Sequence, residues 1–130
     1  MDLRKILEES KNIAVVGLSD KPERASYDVA SYLAENGYAI FPVNPNISKW
    51  KGSRAYKSLS DISEKIDIVD IFRRSGFVPG IVDEAIRIGA KTVWMQLGVI
   101  NEEAAQKAMK AGLNVVMNRC MKIEHKRLRR

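Results

Sequence analysis

The chain has 130 residues, 45% of them hydrophobic, with a single cysteine and a net charge of +6. That length supports one domain around one core and leaves no second domain for separate chemistry, while a lone cysteine forms no internal disulfide and suits a reducing compartment. No apolar run reaches about 18 residues, and Met1-Asp2-Leu3-Arg4-Lys5 leads into a charged amphipathic segment rather than a signal sequence, so the chain reads as cytosolic with no membrane span. The charge is unevenly placed. Residues 119–130 carry Arg119, Lys122, Lys126, Arg127, Arg129 and Arg130 against Glu124 alone, a net +5, which leaves the body near +1. A nucleic-acid binder would spread its basic footprint over a face of the body. The tail instead reads as a solvated extension or as contacts to the protein's own surface.

In chain order, Asp2 to Glu9 puts Leu3, Ile6 and Leu7 on one helical face. Ile13-Ala14-Val15-Val16 then forms a continuous apolar run that stops at Gly17, the pattern of a central parallel strand covered on both faces. A polar loop with Ser19, Lys21, Arg24 and Ser26 precedes a helix over 27–36, with Val29, Ala30 and Leu33 inward and Gly37 just past its end. Ala39 to Val43 is a second strand, broken by Asn44-Pro45-Asn46. The segment onward to Ser60 reads as irregular, with one helical turn near Leu59 to Ser63.

Ile66 to Phe72 reads as a third strand, ending at Arg73-Arg74-Ser75-Gly76. Pro79 suits the first turn of a helix that buries Ile81, Val82, Ala85 and Ile86 and stops at Gly89. Thr92 to Met95 is a fourth strand, followed by Gln96-Leu97-Gly98. Asn101 predicts an N-cap for a helix through Ala111, with Ala104, Ala105, Ala108 and Met109 against the sheet. Asn114 to Met117 is a fifth strand. The alternation predicts an α/β fold, Rossmann-like and doubly wound, with a mostly parallel five-stranded sheet and helices on both faces, as one domain over 1–130 with a basic tail at 119–130.

In such a sheet the loops after the strands converge on one edge, and here those loops carry Lys21, Arg24, Arg73 and Arg74. Adjacent arginines suit phosphate oxygens, so the edge reads as a polyanion site. The dinucleotide fingerprint is absent: Gly17, Ser19 and Pro22 stand where three glycines are expected, and Val43 or Asn44 stands where an acid would hold the ribose. That disfavours NAD and leaves NADP and coenzyme A, both of which carry an extra ribose phosphate.

Ile13 to Ser19, Ser26-Tyr27, Pro42-Val43-Asn44-Pro45, Asp67 to Arg74, Val93 to Val99 and Arg119 to His125 together resemble the single-domain CoA-binding proteins. These are similar to the N-terminal CoA-binding domain of the succinyl-CoA synthetase α subunit. The resemblance runs over nearly the whole chain in collinear order. It implies a domain that binds coenzyme A or an acyl-CoA at the strand ends, with no established reaction. It also implies that Gly17, Ser19, Lys21, Arg24 and Ser26 surround the phosphates and that Asn44 and Pro45 sit by the adenosine. Phe72, Arg73 and Arg74 would lie against the nucleotide, with Gln96 and Gly98 bordering the pantetheine. Such proteins commonly have Asp where this chain has Asn118.

Catalytic side chains are scarce. His125 is the only histidine, flanked by Lys122 and Lys126, and reads as structural or as surface. Asp70 reads as capping a turn or holding a basic loop residue, and no metal cluster is in view. The expectation is a binding, carrier or sensor module rather than an enzyme, with an NAD(P)-dependent oxidoreductase or redox sensor as the alternative. Cys120 reads either as a small buried hydrophobe or as a thiol able to exchange with that of coenzyme A, beside Arg119 and Lys122. Trp50, Tyr56 and Phe77 read as core or as an apolar patch for a protein partner or second copy.

Overall fold

The computed structural model describes residues 1–129; Arg130, the last residue of the basic tail, lies outside the described residues. The elements follow in the order α1 (Leu3–Glu9), β1 (Asn12–Val16), α2 (Ala25–Glu35), β2 (Ala39–Val43), β3 (Lys49–Trp50), β4 (Ser53–Arg54), β5 (Ile68–Ile71), α3 (Val78–Arg87), β6 (Thr92–Met95), α4 (Glu102–Lys110), β7 (Asn114–Val116) and α5 (Met121–Leu128). Single 3-10 turns at Leu59–Asp61 and Ser75–Phe77 precede β5 and α3. Five strands pair in parallel in the order β2-β1-β5-β6-β7. Counting only those strands the order is 2-1-3-4-5, a common doubly wound arrangement in which chain direction across the sheet reverses between β1 and β5. The α/β Rossmann-like expectation holds, and the main sheet is wholly parallel.

Strand alternation sorts the core into two layers. Ala14, Val16, Val69, Ile71, Val93 and Met95 face α3 and α4, where every buried side chain of the cluster is apolar. Ile13, Val15, Ile68, Trp94 and Val116 face the opposite layer with Leu33 of α2 and Met121 of α5. Asp70 falls on this second face, between its register partners Val15 and Trp94. Among the described residues no helix is long and apolar enough to cross a membrane.

Three expectations change, and the two readings of the basic tail resolve to one. The stretch after Pro45 is not wholly irregular: Lys49–Trp50 and Ser53–Arg54 form a short antiparallel hairpin turning through Lys51 and Gly52, both at positive φ. The third strand is shorter than 66–72, spanning Ile68–Ile71; just before it Asp67 keeps backbone bonds to Asn12 and Thr92 while its Oδ2 accepts the Lys11 and Asn12 amides, each at 2.9 Å. Met109 is 54% exposed, since α4 already meets the sheet through three alanines and the next turn rolls Met109 outward. The basic tail is α5, packed on the protein's own surface. Lys122 Nζ pairs with Asp28 at 2.8 Å, Arg129 Nη1 donates to Asn36 Oδ1 at 2.8 Å, and the buried Glu124 takes Arg127 at 2.8 Å. Much of the tail's positive charge is thereby committed within the fold.

Candidate functional site: the carboxyl edge of the sheet

The site is organised by the end of β1. Gly17 turns at φ +88°, and a Cβ there would overlap the Phe72 carbonyl oxygen, so only glycine lets the chain leave β1 this close to the end of β5. Its amide donates to Val43 O at 2.8 Å, and the Phe72 amide donates to Val16 O at 2.8 Å. The ends of β2, β1 and β5 are locked together at the point where the winding reverses.

The loop that follows holds its own shape. Ser26 Oγ accepts the Ser19 amide at 3.0 Å, Ser19 Oγ accepts the Lys21 amide at 3.1 Å, and Asn44 Nδ2 donates to Leu18 O at 3.0 Å. Asn44 Oδ1 in turn accepts the Asn46 amide at 2.8 Å. These polar side chains are therefore employed in positioning backbone. What they leave free is the start of α2, whose N-cap residue Arg24 makes no side-chain cap hydrogen bond. The first-turn amides of a helix have no carbonyl partner within it, and together with the helix dipole they favour an anion. A cavity of about 390 Å³ opens there, lined by Gly17, Ser19, Arg24, Ala25, Ser26, Asn44 and Phe72.

Six of the residues singled out from sequence thus share one cavity wall. The others are distributed around it. Arg73 stacks its guanidinium 4.2 Å from the centre of the Phe77 ring and runs its stem past Gly17, while Lys21 and Arg74 are exposed on the rim. Pro45 lies on a separate groove of about 720 Å³ with Arg54, Lys57 and Asp61. Gln96 is buried, and its Oε1 accepts the Met121 amide at 3.1 Å, capping α5 in place of Cys120, which makes no side-chain cap bond and is half-buried. Gly98 donates its amide at 2.8 Å to Asn118 Oδ1, and Asn118 sits at φ +60°. The amide of Asn118 thus does the accepting that an aspartate would also do, and asparagine tolerates that backbone conformation well.

Asp70 departs from expectation. It is fully buried, neither carboxylate oxygen has a hydrogen-bond partner among the described residues, and burial raises its pKa well above the ordinary aspartate value. It holds no turn and no basic residue. Asp67 lies at the other end of β5 on the opposite face, so the two acids are not a pair. His125 is structural: Nδ1 lies 2.7 Å from Tyr32 Oη, its ring meets Tyr32 and Tyr38 edge-on, and burial with the nearby Arg129 lowers its pKa. Among the described residues no group of three His, Cys, Asp or Glu side chains could hold a metal ion. The three aromatics do not form one patch, since Trp50 is buried against Tyr27, Tyr56 packs near Phe41, and Phe77 is exposed.

Sequence reasoning missed the capping duty of Gln96, which spans 25 residues of sequence.

The family described as CoA binding domain matches residues 11–126. Among curated proteins, the uncharacterized protein YneT of Bacillus subtilis is 44% identical over 124 residues, covering 95% of this chain and 92% of that protein. Subunit alpha of the ADP-forming acetate–CoA ligase II of Pyrococcus furiosus is 29% identical over 124 residues; the match covers 87% of this chain but only 27% of that subunit. Among solved structures, a hypothetical protein from Pyrococcus horikoshii superposes with a TM-score of 0.95 at 46% identity, covering 98% of this chain and 89% of that one.

Proposed function

This chain belongs to the CoA-binding domain family, and from that premise we propose that it holds coenzyme A or an acyl-CoA along the carboxyl edge as a non-catalytic carrier or sensor. The observation that carries this reading is the uncapped start of α2 facing the cavity at the β1–β5 reversal. The fit is chemical. Gly17 brings backbone close to a diphosphate, the first-turn amides of α2 donate to it, and Lys21 and Arg24 add positive charge from the rim. Asn44 and Pro45 border the adenosine half, Phe72, Arg73 and Arg74 follow the nucleotide beyond β5, and Gln96 and Gly98 shape the pantetheine side. Catalysis has no comparable support, because the only histidine is engaged with Tyr32 and the two strand acids are far apart in role.

The test is thermal unfolding with CoA, dephospho-CoA, NAD and NADP in parallel. A ligand at about a hundred times its Kd adds roughly 2.7 kcal/mol, a rise in Tm of several degrees. The expected result is a shift with CoA that shrinks with dephospho-CoA and is small with both nicotinamide cofactors. A shift confined to NAD or NADP would replace this reading with an oxidoreductase or redox sensor.

A further inference from the structure

The carboxyl edge is chemically divided along its length. The β1 and β2 side presents Ser19, Lys21, Arg24, Ser26 and Asn44, and none of the exposed large hydrophobic side chains. The β5 and β6 side presents Phe77, Leu97 and Ile100, which are 52%, 60% and 45% exposed. Of the remaining exposed apolar side chains, Met1 and Met109 lie elsewhere, at the chain start and in the last turn of α4, and Ile123 stands in the first turn of α5.

The apolar side is held in place rather than frayed. The turn after β6 closes with the Val99 amide on Gln96 O at 2.8 Å, and it is pinned by Gly98 on Asn118, by buried Gln96 and by buried Val99. Ser75 ties this turn to the one after β5, its Oγ accepting the Ile100 amide and its carbonyl accepting Asn101 Nδ2, both at 3.0 Å. Leu97 and Ile100 are thus displayed by a hydrogen-bonded frame. Arg73 connects the frame to the cavity, with its stem against Gly17 and its guanidinium on Phe77. Strand spacing puts the end of β6 about 10 Å from the end of β1, within reach of an extended pantetheine arm.

We propose that Phe77, Leu97 and Ile100 form the seat for the acyl chain of an acyl-CoA, so that the site prefers medium-chain acyl thioesters to free CoA. This rests on the reading of the cavity as a CoA site and adds the ligand's other end. A ligand that is polyanionic at one end and apolar at the other matches an edge that is polar at one end and apolar at the other. A phosphate-only ligand would leave the three hydrophobic side chains unused.

Isothermal titration of the full chain with CoA, acetyl-CoA, butyryl-CoA and octanoyl-CoA tests it, with Leu97→Ser/Ile100→Ser as the variant and Met109→Ser as a control for loss of an exposed apolar side chain elsewhere. Both alter exposed positions, and equal Tm values without ligand establish that they fold. The expected result is affinity that climbs with chain length, about tenfold or more from CoA to octanoyl-CoA, as partial burial of methylenes implies. The double variant should lose that gain while keeping its affinity for CoA, and Met109→Ser should keep both. Equal Kd across the series would overturn the acyl seat while leaving the CoA reading intact; no binding of any member would overturn both. A self-associating chain whose dimer dissociates in the double variant, with a flat acyl series, would assign the rim to a second copy and overturn the proposal.

Discussion

Helices α2 and α4 both start at the carboxyl edge of the sheet, and their first turns are built differently. In α4, Asn101 Oδ1 accepts the Ala104 amide at 2.9 Å, and Glu102 and Glu103 place negative charge against the positive end of the dipole. In α2, the N-cap is an exposed arginine with no cap bond, and the side chains that could have capped it are spent on the preceding loop. The layers beneath them differ in the same sense. The core under α3 and α4 is apolar throughout, while the face under α2 and α5 contains the unpartnered Asp70. The α4 side is satisfied internally and adds stability, whereas the α2 side leaves donors open, which is what a site for an anion requires.

The largest effect that would sharpen this contrast is at the glycines that lead into the two helices. Gly17→Ala forces a Cβ onto the Phe72 carbonyl at positive φ and should cost roughly 3 kcal/mol or more in urea denaturation. Gly98→Ala has a similar φ but meets no atom within 4 Å, so about 1–2 kcal/mol is expected. Equal costs would mean that the close approach of β1 to β5 is not a tight constraint.

Asp70 comes next, with an effect that depends on pH. Its folded pKa is raised, so the folded state holds the proton more tightly than the unfolded chain does. The wild type therefore keeps its full stability below the ordinary aspartate range and loses stability as pH rises above it, until the folded carboxyl itself ionises. Asp70→Asn removes that loss. The Tm of the variant relative to wild type should climb from pH 4 towards neutrality, and a difference independent of pH would show that Asp70 is not buried as an acid.

The capping contrast itself predicts smaller, opposite changes. Arg24→Asp supplies the missing cap and should stabilise the free protein by about 1 kcal/mol while weakening CoA binding, because a carboxylate then occupies the anion's place. Asn101→Ala should cost about 1 kcal/mol and leave the CoA-induced shift in Tm unchanged. The smallest expected effect is at Cys120: Cys120→Ser should leave the CoA shift unaltered. Mass spectrometry after incubation with CoA disulfide reports separately whether the thiol takes up a CoA adduct with release of free CoA.

Much of this fold was legible because apolar runs and their punctuation are local. Ala39–Val43 and Thr92–Met95 end where their sequences change character, and Asn101 caps as its position predicts. The hairpin at 49–54 was not legible, because two-residue strands have no periodicity to detect. Helix α5 was hidden by its charge. Met121, Glu124 and Leu128 do share one face, but the buried member at the centre is an acid neutralised by Arg127 and Arg119, which reads in sequence as part of a solvated run. For the site, the loops were legible from topology, while the division of labour within them was not. Ser19, Ser26 and Asn44 were expected around the phosphates, and the geometry uses their side chains to shape the loop so that backbone amides face the cavity. Such long-range duties, like that of Gln96 at the start of α5, depend on which loops meet in space.

A second cavity, of about 480 Å³, lies at the amino edge among Arg4, Asn36, Tyr38, His125 and Arg129, and it supplies the internal reference for the decisive measurement. Two of its polar groups are engaged within the fold, Arg129 with Asn36 and His125 with Tyr32. The measurement is an amide chemical-shift titration of the labelled chain with CoA. Saturable shifts are expected at Gly17, Ser19, Ala25, Ser26 and Asn44, with Tyr38, His125 and Arg129 unmoved. Shifts concentrated on Tyr38, His125 and Arg129, with the start of α2 silent, would contradict that expectation.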